Sequence, residues 1–423
     1  MNPSPLSSTQ RSSAPSALAL LLPFALAYGV SYFFRNVNAV AGPTLAREFL
    51  LGPQGLGFLT SSYFFGFSAA QIPLGILLDR FGPPKVGAGM AISSGIGAII
   101  FGMAGSTLEL SLGRALIGMG AGAGLMGAMS AVHLVVGRDR AATVTGWIMI
   151  TGGLGAMFAS TPAQWALDAF GWRAIFFALA GACALIALWL LSMSRHMKPA
   201  ASGQTLQQLL AGVREVFSAR RFWQVGTVIG LMLGTFLAFQ SLWAATWLRD
   251  VAGFTDRTAI SNVLLALNFG MAVGFVFSGM IGDYLARRGI ARLTTLMGYV
   301  AMALICQGFI MLFPSLLPHW AWGLYAAFAN AIVFGYAVLA STFPVSMTGR
   351  VNTAINLLSF GLAFVLQAAI GAWLNTYPLS AGNYASAGYY SAWIALWMGQ
   401  TGLLLALAIY GRKTLLADQP AVH

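Results

Sequence analysis

Two arginines stand where arginine is costly. Arg35 lies in Tyr32-Phe-Phe-Arg35-Asn36-Val-Asn38, and Arg114 opens Arg114-Ala-Leu-Ile-Gly118-Met-Gly120, each inside a long apolar run. A guanidinium keeps its charge when desolvated and presents a planar fork that fits carboxylate, sulfonate or phosphate. Left without a counter-ion, a buried charge costs several kcal/mol even after relaxation. The acidic residues offer no relief. Glu48, Glu109, Asp168, Asp250 and Asp256 fall at one end of the apolar runs, and Asp79, Asp139, Glu215, Asp283 and Asp418 at the other. One solution is an anionic ligand that completes the pair; the other is satisfaction by carbonyls, amides and cavity water. The chemistry indicated is anion recognition, with Tyr32 and Asn36 beside Arg35. Gln240 and Trp243, in the seventh run, are further candidates to line the same cavity. For each amide taken singly, bonding helix to helix is the competing role.

Proton coupling needs a titratable group on the pathway. His133, near one end of the fourth run, is the one histidine inside a span and a candidate relay, since imidazole titrates near neutrality; an interfacial anchor is the plainer role. A ligand that carries its own proton, or exchange against a second anion, would serve as well. Nothing points to an enzyme: there is no nucleophile–base pair, carboxylate cluster or metal-ligand spacing. Gly118, Gly120, Gly122, Gly124 and Gly127 superficially resemble a dinucleotide loop. With no preceding strand or downstream acid they read as helix-packing residues, and no Walker-type loop occurs. No cofactor is therefore expected. Cys183 and Cys306 sit in apolar runs as buried small hydrophobes.

The elements that must position these residues derive from composition. Of 423 residues 58% are apolar and 8% charged, against about 25% charged in a soluble domain. A charge-poor chain of this length is neither a string of soluble domains nor disordered; it is an integral membrane protein. Twelve apolar runs are long enough to cross a bilayer as helices: 17–42, 55–79, 86–106, 110–134, 142–163, 173–194, 223–247, 259–282, 292–313, 320–341, 351–374 and 387–410. The first is too long for a signal peptide and lacks a clear cleavage site. Alternating segments of β-barrel type are absent. Sixteen Lys and Arg fall on the side of the N-terminus and four on the other, which places both termini in the cytoplasm, in a bacterial inner membrane. The net charge of +12 is accordingly a topology signal, and no nucleic-acid partner is expected.

The longest polar gap, 195–222, divides the chain into a leader (1–16), a six-helix half (17–194), a linker, a second half (223–410) and a tail (411–423). Within the linker Leu206, Leu209, Leu210, Val213 and Phe217 recur at helical spacing beside Arg214, Arg220 and Arg221, the pattern of a short interfacial helix. Two features repeat across the halves. Gly75-x-x-x-Asp79 is matched by Gly279-x-x-x-Asp283, and Arg140-x-x-Thr143 by Arg350-x-x-Thr353.

The run Gly75-Ile-Leu-Leu-Asp79-Arg80-Phe-Gly82-Pro-Pro-Lys85 resembles the loop 2–3 signature of the major facilitator superfamily, and Arg114 to Gly120 resembles its fourth-helix signature. With twelve spans, a central loop and a degenerate second copy of the signature, the resemblance covers the whole chain. The usual basic pair after Gly82 is reduced to Lys85, behind two prolines. The resemblance implies an all-α fold of two six-helix pseudo-repeats and secondary transport by alternating access, with the site between the halves. It also implies a gate of Gly75, Asp79, Arg80, Gly82, Lys85 and Asp283, in which Asp79 faces the N-terminus of the eleventh helix near Gly349 and Arg350. The first-helix arginine is similar to that of the anion:cation symporter group, which suggests a symporter for a small anion. The runner-up is an exporter of amphipathic drugs or siderophore-like compounds, weakened by the lack of a Gly-Pro pair in the fifth helix. One chain holds both halves of a site, so a monomer is expected to suffice.

Overall fold

In lipid no water satisfies a lone peptide group, so each crossing segment must satisfy its backbone internally. The computed structural model describes residues 16–136, 138–197, 206–344, 347–379 and 383–411. Among them eleven helices are long and apolar enough to cross a membrane. In order these spans are α1 (Ala17–Glu48), α2 (Pro53–Phe81), α3 (Pro83–Met103) and the pair α4 (Thr107–Ala121) and α5 (Ala123–Val135). After α6 come α7 (Thr161–Met193) and, past the linker helix α8 (Leu206–Ser218), a span built from α9 (Arg220–Ala238), a π-helical turn (Phe239–Trp243) and α10 (Ala244–Asp250). Next are α11 (Arg257–Arg287), α12 (Arg292–Leu312), the pair α13 (Pro318–Ala331) and α14 (Phe334–Ala340), α15 (Thr348–Leu374) and α16 (Ser386–Ala406). The twelfth is α6 (Arg138–Phe158), whose apolar stretch is Val144–Phe158. The expected all-α architecture of two six-helix pseudo-repeats is present.

Boundaries moved where local chemistry overrides hydropathy. The expected runs 142–163 and 173–194 divide differently: α6 ends at Phe158, Ser160 leaves helical space at φ −100° and ψ −116°, and α7 starts at Thr161. α7 then bends at Gly171, where φ is 77°, a value glycine adopts without steric cost. α1 continues past the expected end at 42 to Glu48, carrying Pro43 within it. Between α2 and α3 a single residue turns the chain: Gly82, at φ 79°, with Pro83 and Pro84 opening the next helix. Proline suits those positions because first-turn N–H groups have no helical partner. The side chains of Arg140 and Thr143 and most of the expected leader and tail lie outside the described residues.

We call the end of the bundle that holds the α2–α3 turn the basic face, and the end that holds the α1–α2 turn the far face. The repeats meet along α2 against α15, α6 against α11, and α1 against the π-turn. Small residues permit the closest approaches, and these lie toward the far face. A methyl group added to Gly57 would strike Gln367 and Gly371, one on Gly371 would strike Pro53, and one on Gly153 would strike Ala272. Nearer the basic face the pattern reverses: a methyl on Gly75, Gly146, Gly279 or Gly349 would meet no atom of the described residues within 4 Å. The closest approaches between the repeats therefore lie on the far-face side of mid-depth.

Helix α8 packs on α15 and α2 near the basic face. Val213 and Val216 are buried, and the Arg350 side chain lies so close over Gly212 that a β-carbon there would collide with it. Leu210 is exposed, whereas Leu206 and Leu209 lie outside the residues whose side chains are described.

Candidate functional site

Mid-depth on α1, Arg35 is 4% exposed. Its guanidinium carbon lies 4.2 Å from the ring centre of Tyr32, 5.2 Å from Phe360, 5.7 Å from Phe67 and 6.0 Å from Tyr63. A cation over aromatic faces gains about 0.5–2 kcal/mol per good contact, which offsets only part of the cost of desolvating a full charge. Three of these rings come from the first repeat and one, Phe360 on α15, from the second. Phe360 stacks on Phe67, 3.8 Å between centroids and 18° between planes. The side chain that carries the charge is thus enclosed by both repeats.

Arg114 on α4 is fully buried. Its Nη1 donates to the carbonyl of Phe34 at 2.6 Å, while Nε and Nη2 find no acceptor. Its guanidinium carbon lies 5.3 Å from the ring centre of Tyr63. One tyrosine ring thereby stands beside two arginines, and the Tyr63 hydroxyl donates to the Ser31 carbonyl at 3.3 Å, holding the ring against α1. Nε of Arg35 also lacks an acceptor. Among the described residues no carboxylate pairs with either arginine; the ion pairs are Arg173–Glu48, Arg249–Asp250 and Arg292–Asp283.

The remaining candidates separate. Tyr32 belongs to the box around Arg35, and its hydroxyl accepts from that of Tyr28 at 3.2 Å. Asn36 turns back on its own helix, donating to the Tyr32 carbonyl at 2.9 Å and leaving its carbonyl oxygen unbonded. Gln240 joins helices: its Nε2 donates to Oδ1 of Asn268 at 2.7 Å, and Asn268 donates to the Ala156 carbonyl and to Ser160 across the repeat boundary. Trp243 is fully buried against Gly57, about 9 Å along α2 from Tyr63 at 1.5 Å per residue, so it belongs to the far-face contact and not to the arginine pair. His133 is exposed at the basic end of α5, with no hydrogen-bond partner among the described residues.

At the basic face Asp79 is half-buried and bonds to nothing among the described residues; Gly75 is open, and Arg80 and Lys85 are exposed. Asp283 is exposed and pairs within its own repeat with Arg292 at 3.6 Å. Phe67, Phe360 and Tyr336 were not singled out by the sequence. Tyr336, on α14, donates to Asn356 at 2.9 Å. Nothing in sequence spacing brings a residue of α15 to one of α1, so Phe360 carried no signal.

A double repeat of spanning helices is an architecture of membrane transporters. The sequence profile of the Major Facilitator Superfamily matches residues 24–368, and the chain belongs to that family. Among curated relatives it is similar to the "Probable sulfoacetate transporter SauU" of Cupriavidus necator, 29% identical over 62% of this chain and 64% of that one. It is similar as well to the "Probable galactarate/D-glucarate transporter GudP" of Escherichia coli, 23% identical over 81% of this chain and 83% of that one. Among solved structures, a bacterial homologue of the human lysosomal transporter Spinster, in an inward-facing and unoccupied conformation, superposes with a TM-score of 0.74 at 19% identity, covering 97% of this chain and all of that one. The likeness to the Spinster homologue establishes the fold.

Proposed function

We propose that this protein is a secondary transporter for a small organic anion, and that Arg35 and Arg114 bind it. The observation that carries the reading is two buried arginines beside one tyrosine ring, with no carboxylate among the described residues paired to either. An intramembrane charge is costly and is retained where it serves function. An anion arriving between the repeats supplies the missing charge and accepts from the unbonded Nε atoms. Two forks suit a short molecule with an acid group at each end. Sulfoacetate, galactarate and glucarate, the substrates in the names of two relatives, have that form.

The mechanism we infer is alternating access. Because the Arg35 box takes Tyr32, Tyr63 and Phe67 from one repeat and Phe360 from the other, rocking the repeats opens and closes it. The basic face is the cytoplasmic one by the distribution of Lys and Arg. On that assignment we read the conformation described, whose repeats approach most closely on the far-face side of mid-depth, as closed to the far side, and Asp79, without a partner among the described residues, as the gate in its released state. With the opposite face open, Asp79 would meet the N-terminus of α15.

The test is uptake of radiolabelled sulfoacetate and glucarate into proteoliposomes, alongside thermal-shift measurements with the same anions. A bound anion raises stability by mass action. Wild-type protein is expected to take up at least one of them and to be stabilised by it, and Arg35→Gln to lose both effects. An Arg35→Gln variant with wild-type uptake would end the reading.

A further inference from the structure

A cavity lined by arginines lies at the far face, beyond the contact of Gly57 with Gly371. It holds about 590 Å³, within the roughly 300–1,000 Å³ range of small-molecule sites. Arg47 of α1, Arg249 of α10 and Arg257 of α11 line it, and among the described residues no Asp or Glu does. Pro53 and Leu56 form part of its wall, next to Gly57, so it ends where the two repeats seal.

The carboxylates nearby are engaged elsewhere. Glu48 pairs with Arg173 at 2.7 Å, Glu109 accepts from the backbone of Gly105 and Ser106, and Asp168 accepts from Gln164. Asp256 caps α11 through the N–H groups of Thr258 and Ala259. The side chain of Asp250 is buried, accepts from Arg249 through two bonds of 2.5 and 2.9 Å, and accepts from Tyr389 at 2.9 Å. Arg249 is therefore neutralised and fixed. Among the described residues Arg47 bonds only the Pro43 carbonyl, at 3.3 Å, and Arg257 pairs with no carboxylate. Two of the cavity's three guanidinium groups are thus without an ion-pair partner among the described residues.

We propose that this vestibule is a second anion site, which collects a small carboxylate or sulfonate at the far face before it passes the Gly57–Gly371 seal. Its place in transport rests on the anion reading of Arg35; its ability to attract anions does not. A cavity lined by one sign of charge raises the local concentration of counter-ions and their rate of arrival. Two guanidinium forks without partners are suited to hold an oxyanion.

Thr255 lines the vestibule and is exposed. The test places Thr255→Cys in a Cys183→Ala/Cys306→Ala background, in phosphatidylcholine nanodiscs and separately in a neutral detergent. The thiol is modified by negatively charged sulfonatoethyl or positively charged trimethylammonioethyl methanethiosulfonate, each rate being normalised to that of 2-mercaptoethanol. The anionic reagent is expected to be favoured by about tenfold at low salt. That preference should fall toward unity with Arg47→Gln/Arg257→Gln and at about 1 M salt, where screening is strong. Methanesulfonate or malonate should slow labelling in both nanodiscs and detergent. A ratio near one in the parent, or one indifferent to the two arginines, overturns the proposal. Slowing by free anion in detergent that vanishes in nanodiscs would assign the site to lipid headgroups and overturn it as a solute site. Arg35→Gln is expected to leave the labelling ratio unchanged while abolishing uptake, so the two sites fail separately.

Discussion

Nη1 of Arg114 donates to the backbone carbonyl of Phe34, the residue immediately before Arg35. The fourth span thus reaches across to hold the segment of the first that presents the central cation. Arg114 also leaves two of its own nitrogens without acceptors. This is poor economy for a side chain serving stability and reasonable for one that awaits a ligand.

The stability consequence separates those roles. Replacing a buried, incompletely bonded charge by an apolar chain of similar volume is often neutral or stabilising by about 1–4 kcal/mol. Arg114→Met is expected to leave the Tm unchanged or raise it, while uptake falls by at least about tenfold, the loss expected for roughly 1.4 kcal/mol of substrate interaction. A Tm lowered by many degrees, with uptake falling only in proportion to folded protein, would make Arg114 structural.

Phe360 is the second repeat's wall of the Arg35 box and stacks on Phe67. An aromatic pair of this kind contributes about 0.5–1.5 kcal/mol beyond its area, and removing it lets water reach the guanidinium from the basic side. Phe360→Ala is expected to raise KM for the anion by about three- to tenfold. Phe360→Tyr, which keeps the ring, should stay close to wild type. Equal KM values for the two variants would show that the ring does not shape the site.

The far-face seal can be forced from outside the site. A side chain at Gly371 would strike the Pro53 backbone, and overpacking of this kind costs about 1–3 kcal/mol. That cost falls on the conformation described here and shifts the population toward opening at the far face. Thr246 is 2% exposed and lines the vestibule. Labelling of Thr246→Cys is expected to accelerate about tenfold when Gly371→Leu is added, since roughly 1.4 kcal/mol is a factor of ten. Unchanged labelling would mean that the Gly57–Gly371 contact does not set the equilibrium.

Asp79 gives the opposite displacement. It has no partner among the described residues, so Asp79→Asn should not weaken this conformation. It should weaken the one in which Asp79 meets α15, since a carboxylate at a helix N-terminus contributes about 0.3–2 kcal/mol. Turnover in proteoliposomes is expected to slow several-fold while the anion Kd stays within about threefold. Lost binding with intact turnover would refute a gating role.

Much of this was legible in the chain itself, for reasons that differ residue by residue. Spans reflect the cost of exposing peptide groups to lipid, so hydropathy located all twelve. Arg35 and Arg114 were legible because charge in such runs is rare. Their sharing of Tyr63 was not, since helix periodicity states which face a residue occupies and not which helix covers it. Trp243 and Gln240 illustrate the same limit: both point inward as their runs imply, yet one seals the far face and the other ties α11 to the π-turn. The break at Ser160 was hidden because hydropathy barely changes there, and it was the backbone, not the side-chain character, that turned.

The π-helical turn at Phe239–Trp243 has one more consequence. Such a turn amounts to a single extra residue accommodated inside a helix, and each added residue rotates the remainder of the helix by about 100°. A deletion of one residue between Phe239 and Trp243 would restore an unbroken α-helix and swing all of α10 around its axis. Trp247 would leave its parallel stack on Trp393, now 4.0 Å between centroids, and Asp250 would lose Tyr389. The two lengths of this span thus carry independent angular registers, and insertions or deletions at the turn offer a lineage a way to re-aim Arg249 without touching the residues around Arg35.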